Sequence, residues 1–194
     1  MSILRQKKML LIITSTCIAI FIYGYYLYPA LLYKKMQKES GMIHANTTLF
    51  EVPLLSIKGD TIHLRDTIHS RFNLVDFFFV GCIPCEQKSK PLNELQKQYD
   101  HNKFQVIHIC SGEYTTYQKF VLYTEKKNGN GQVYLYAPDS TLRKLYGQEL
   151  AFPYEQLFTN DKNLISKEIG FNPAFQKLYL KSKRSQIETH ETSD

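Results

Sequence analysis

The stretch NLVDFFFVGCIPC, Asn73 to Cys85, constrains the fold more than any other part of the sequence. Its apolar run, broken only by Asp76, has the continuous character of a central strand covered on both faces. Two cysteines separated by Ile83 and Pro84 follow at once, and Leu92, Leu95 and Tyr99 then fall at helical spacing within a stretch rich in Lys, Glu and Gln. The order is strand, cysteine pair, helix. An acid, Asp76, is left inside the buried strand six residues before Cys82.

The flanking sequence extends this unit into a domain. FEVPLLSIKGDTIHLRD reads as two short strands around a Lys58-Gly59-Asp60 turn, and FQVIHIC, Phe104 to Cys110, as a further strand. YTTYQKFVLYTEKK predicts a helix stopped by NGNG, QVYLY a strand, and DSTLRKLYG a short helix capped by Asp139 or Ser140 with Gly147 past its end. YEQLFTNDKNLISKEIG alternates like a hairpin, and Asn172 with Pro173 opens a last helix expected to run to about Leu180. Residues 181–194 are polar and are expected to form a frayed tail. Strands alternating with helices describe an α/β domain with a central mixed sheet over residues 48–180.

Charge separates a second region from this domain. The chain carries 24 Lys and Arg against 18 Asp and Glu, but six of the basic residues precede the first acid, Glu39. The net charge of +6 therefore belongs to the N-terminal segment. No basic face is implied for the globular part, so a nucleic-acid partner is not expected. Between the basic clusters, residues 9–28 (MLLIITSTCIAIFIYGYYLY) hold no charge over 20 positions. At 1.5 Å per residue this spans a hydrocarbon core of about 30 Å. The segment reads as a transmembrane anchor, preceded by a cytoplasmic N-terminus (1–8) and followed by a juxtamembrane linker (29–47). No small-x-small cleavage site follows it, and the residues before Cys17 fit a lipoprotein signal poorly. A slight N-terminal excess of positive charge places the folded domain outside the membrane.

A Cys-x-x-Cys pair can be a redox dithiol, half of a zinc site or incidental. There is no second pair, and His108 with Cys110 on one strand are the nearest further ligands. Both read more simply as core-lining residues, and no metal site is expected. The redox reading uses each neighbour. Cys82 at a helix start would have its thiolate favoured by helix-terminal N–H groups and would be the nucleophile. Cys85, one turn in, would resolve the mixed disulfide, and Pro84 costs little early in a helix. Burial is expected to raise the pKa of Asp76 and suit it to accept the Cys85 proton.

LVDFFFVGCIPC resembles the strand, buried acid and C-x-P-C centre of the thioredoxin superfamily. The wider span, about Phe50 to Leu180, is similar to membrane-anchored TlpA/ResA-type thiol-disulfide oxidoreductases. That resemblance implies a thioredoxin-like fold, with no cofactor beyond a redox-active Cys82–Cys85 disulfide. It implies a cis-proline at Pro153 opposite the cysteines, with Phe152 lining a peptide-binding groove. It also implies disulfide-containing exported proteins as substrates, apocytochromes among them, and a membrane electron donor at the bacterial cytoplasmic membrane. Two departures stand out. Gly81 replaces the tryptophan usual before the first cysteine and would leave the substrate-binding rim more open, and the helix-kinking proline stands at Pro91. An extracytoplasmic copper-binding assembly factor on the same fold is the alternative, although its relatives carry three residues between their cysteines. A peroxidase is disfavoured because Phe79 occupies the position of its Thr or Ser.

Overall fold

Strand β3, Phe72–Phe78, is buried at every position and lies inside a seven-stranded sheet of order β2 (Thr61–His63), β1 (Pro53–Leu55), β5 (Val133–Ala137), β4 (Phe104–Ser111), β3, β6 (Tyr154–Thr159), β7 (Leu164–Ile169). Its two neighbours explain why its sequence does not alternate: β4 (Phe104–Ser111) pairs with it in parallel and β6 (Tyr154–Thr159) antiparallel, and both sheet faces are covered. The computed structural model describes residues 47–127, 132–139, 141–146 and 150–191, together with scattered positions before residue 32. The chain divides into two compact units, Met1–Glu39 and Ser40–Asp194.

In the second unit, β1 (Pro53–Leu55) and β2 (Thr61–His63) form the expected antiparallel pair, with Gly59 in the turn at φ +88°. β5 (Val133–Ala137) pairs in parallel with β4, and β6 forms the closing hairpin with β7 (Leu164–Ile169). Among the described residues four α-helices complete the unit: α1 (Ile83–Gln96), α2 (Tyr117–Lys127), α3 (Thr141–Tyr146) and α4 (Gln176–Glu191). The expected mixed sheet with flanking helices is therefore observed.

The strand period of two divides the core. Val75 and Phe77 of β3 join Ile107, Ile109, Leu142, Tyr146 and Tyr154 on one face of the sheet. Phe72 and Leu74 join Leu92 and Leu95 of α1 and Tyr179 and Ile187 of α4 on the other. Phe78 continues that second face into a cluster with Cys82, Cys85, Cys110 and Phe120 of α2. Asp76 lies between Leu74 and Phe78 and so points into the α1 side.

Two expectations from sequence change here. The end of the chain is no frayed tail, because α4 continues to Glu191 and buries Lys183 and Ile187. Asn172 does act as a cap, accepting from the Ala174 N–H, but over a short 3-10 turn (Pro173–Phe175) that precedes α4. Among the described residues no helix is long and apolar enough to cross a membrane. Half of the anchor read at residues 9–28, the N-terminus at 1–8, nearly all of the linker at 29–47, and the NGNG stop lie outside the described residues.

Candidate active site

Residues Phe79 to Cys82 turn the chain from β3 into α1, with the Cys82 N–H donating to the Phe79 carbonyl at 3.1 Å. Gly81 sits in this turn at φ +94°, a region that L side chains avoid, while nothing lies within 4 Å of where its Cβ would stand. Backbone conformation, not space, therefore calls for glycine here. Cys82 is the N-cap of α1, its sulfur accepting from the Cys85 N–H at 3.3 Å, and Pro84 occupies the first turn, where its missing N–H costs nothing.

Cys82 and Cys85 form a disulfide. Each is 3% exposed, so burial in this oxidised form does not distinguish an attacking from a shielded cysteine; position on the helix does. Ile83 between them is 69% exposed. The Phe152–Pro153 bond is cis, and Pro153 immediately precedes Tyr154, the register partner of Phe77. Phe152 packs against the cysteine cluster and meets Phe79 and Tyr114 at ring separations of 5.5 and 5.7 Å, with Phe79 and Tyr114 themselves 5.2 Å apart. Phe79 and Phe152 thus pack against the cluster that holds the disulfide, and Tyr114 meets both rings.

Asp76 is fully buried, as its strand position requires, but it is not the isolated acid expected from sequence. Register sets Glu155 of β6 on one side of it and His108 of β4 on the other, and places Tyr134 of β5 beyond His108 and Glu168 of β7 beyond Glu155. A polar row thus crosses five strands on one face of the sheet. Two lysines reach into it from the covering helices. Lys88 of α1 contacts Asp76 and lies 3.1 Å from Glu155. Lys183 of α4 lies 2.7 Å from Glu155 and 2.8 Å from Glu168. The Tyr179 hydroxyl donates to Glu155 at 2.7 Å.

The electrostatics follow from this geometry. Burial acts against the charge on both lysines, yet Asp76 and Glu155 raise the Lys88 pKa, and Glu155 and Glu168 raise that of Lys183. Burial alone would lift the Glu155 pKa, but Lys183 and Lys88 bring it down to about 2. Paired in this way, the buried charges offset most of one another's desolvation.

Asp76, Cys85, Ser89, His108, Tyr123 and Tyr134, with Phe78, line a cavity of about 10 Å³ beneath the disulfide. Burial, followed by the charge of Asp76, pushes the Tyr134 phenol up to about 12, and burial raises the Cys110 thiol to about 12 despite its hydrogen bond with Thr115. The His108 Nδ1 is engaged with Asp76 at 2.9 Å. Among the described residues no group of three or more His, Cys, Asp or Glu is arranged to hold a metal ion.

Of the residues singled out from sequence, the structure brings Cys82, Cys85, Asp76, Pro84, Gly81 and Phe152 to one end of β3, with Pro153 opening the neighbouring strand. Lys88, Glu155 and Lys183 were not foreseen, and His108 was read as core lining. Lys88 carried one usable signal, since it stands three residues after Cys85 on the same helix face.

No protein-family model and no curated protein matches the chain. Solved structures do. A protein of Chlorobium tepidum described as the thiol:disulfide interchange protein DsbE aligns with a TM-score of 0.56 at 20% identity, over 70% of this chain and 92% of that one. A thiol:disulfide interchange protein from Bacteroides sp. aligns with a TM-score of 0.53 at 16% identity, over 67% and 84%. A thioredoxin-like protein from Aeropyrum pernix aligns with a TM-score of 0.53 at 14% identity, over 79% and 99%. With a central mixed sheet, a cysteine pair at the start of α1 and a cis-proline before β6, the folded unit has the thioredoxin-like fold.

Proposed function

We propose that the chain is a thiol-disulfide oxidoreductase that reduces disulfides in exported proteins through Cys82 and Cys85. The observation that carries this reading is the Cys82–Cys85 disulfide at the N-terminus of α1, with Cys82 as the cap. In the reduced protein the Cys82 thiolate, favoured by the helix terminus, attacks a substrate disulfide; one substrate sulfur leaves with the bonding electron pair and takes a proton from solvent. Cys85 then loses its proton into the cavity it shares with Asp76 and attacks Cys82. The Cys82–substrate bond breaks, the second substrate sulfur leaves, and the protein disulfide is re-formed. Two electrons have passed to the substrate, and its second sulfur, like the first, takes a proton from solvent. A membrane electron donor restores the dithiol.

Phe152, Phe79 and Tyr114 form the apolar edge on which an extended substrate segment docks, with the backbone before Pro153 available to pair with it. The uncharged run at residues 9–28 and its flanking basic residues support a single-pass anchor in a bacterial cytoplasmic membrane with the folded unit outside. The Cys-x-x-Cys spacing, with no cofactor needed, favours this reading over a copper-binding assembly factor.

Cys85→Ser in the full chain is expected to trap a Cys82-linked, thiol-reversible adduct on exported proteins in membranes. Absence of any adduct, or stoichiometric Cu(I) binding with no disulfide reduction, would sink the proposal. The reduction potential of the pair, measured against glutathione, tests the reducing direction.

A further inference from the structure

Beside the disulfide, His108 is buried at 2% exposure and engages Asp76 through Nδ1 at 2.9 Å, while its Nε2 has no hydrogen-bond partner among the described protein groups. Asp76 fixes which nitrogen carries the proton. Its carboxylate, held against the Lys88 ammonium, can only accept, so the Nδ1–H donates and the Nε2 of the neutral ring is a bare lone pair. The ring is locked by stacking on Tyr134 at 4.8 Å and by an edge contact with Phe78 at 6.1 Å.

His108 and Cys85 line the same cavity, whose volume of about 10 Å³ admits the centre of one water molecule. Both oxygens of the Asp76 carboxylate are already engaged, one by Lys88 and the other by the His108 Nδ1. The other groups facing His108 are poor proton acceptors. Tyr134 of β5 and Tyr123 of α2 have phenols raised by burial, and Lys88 of α1 is held as the ammonium by Asp76 and Glu155. Imidazole is the side chain on this wall whose class changes charge between about pH 5 and 8.

We infer that His108, not Asp76, accepts the Cys85 proton through one water in this cavity, and that Asp76 is the positioning residue that holds the imidazole. The inference rests on the oxidoreductase reading above. The Cys85 S–H proton passes by way of the water to Nε2; the thiolate attacks Cys82; the Cys82–substrate bond breaks and its electron pair leaves on the substrate sulfur. The resulting imidazolium faces Asp76 and later returns its proton to solvent.

The test uses the reduced full chain carrying Cys17→Ser, which removes the exposed free thiol, with Ellman's reagent, whose first thiolate release reports attack by Cys82 and whose second reports resolution by Cys85. His108→Gln is expected to slow the second release about 100-fold at neutral pH and to remove its pH limb in the imidazole range, with the first release unchanged. Asp76→Asn is expected to slow the second release while keeping a limb in that range. If His108→Gln keeps the wild-type limb and Asp76→Asn abolishes it, Asp76 is the base and the inference is overturned. A wild-type protein with no second release overturns the oxidoreductase reading instead. Imidazole ¹⁵N resonances of the unsubstituted protein give a readout independent of how variants fold: a protonated Nδ1 with bare Nε2 supports the inference, and the opposite tautomer refutes it.

Discussion

At Gly81 the backbone decides the side chain. The turn that delivers Cys82 to the start of α1 passes through φ +94°, and the space beside it is open. Gly81→Ala is therefore expected to destabilise the oxidised protein by about 1–3 kcal/mol, read as a lower urea midpoint with unchanged slope, although the added methyl meets no atom. Glu155 illustrates the opposite case, in which surroundings decide the charge. Its pKa is lowered in the folded state from 4.5 to about 2, so the unfolded chain binds its proton first as the solution is acidified. The stability that Glu155 contributes is present above pH 4.5 and is lost as pH falls through about 2. At neutral pH, Glu155→Gln is expected to cost about 3–5 kcal/mol, because Lys183 and Lys88 lose a buried partner. The gap between variant and wild type in denaturant titrations should narrow toward pH 2; a gap independent of pH would contradict the assignment.

Elements with local punctuation could be read from sequence. The Lys58-Gly59-Asp60 turn, the β6–β7 hairpin and the Pro84 start of α1 each carry a residue whose backbone preference forces the local shape. Asp76 was legible as a buried acid, because no other reading of β3 fits its apolar neighbours. Its partners were not, since Lys88, His108 and Glu155 meet it only through helix packing and strand register, which no local period encodes. Helix α4 was misread beyond Leu180 for a related reason. Its inward positions include Tyr179, Lys183 and Ile187, four apart, and a lysine at the middle one hides the apolar stripe that marks a helix. Truncation after Leu180 would be neutral for a frayed tail. Here it removes Lys183 from Glu155 and Ile187 from the core, and is expected to lower the thermal midpoint sharply, by the equivalent of about 3–5 kcal/mol for the broken ion pair alone. Circular dichroism melts of the two lengths check this.

Across the folded unit, Cys85 shares a cavity with Asp76, His108 and Tyr134 of a polar row that reaches the β7 edge through Glu155 and Lys183. Stability and chemistry draw on the same buried charges, since Lys88 contacts both Glu155 and Asp76. Asp76, Glu155 and Glu168 face Lys88 and Lys183, and Glu155 is the acid that touches both lysines. Descendants of this sequence that replace Lys183 keep Glu155 paired with Lys88, whereas a change at Glu155, on the strand that Pro153 introduces, takes a buried partner from both lysines at once and calls for compensation at each.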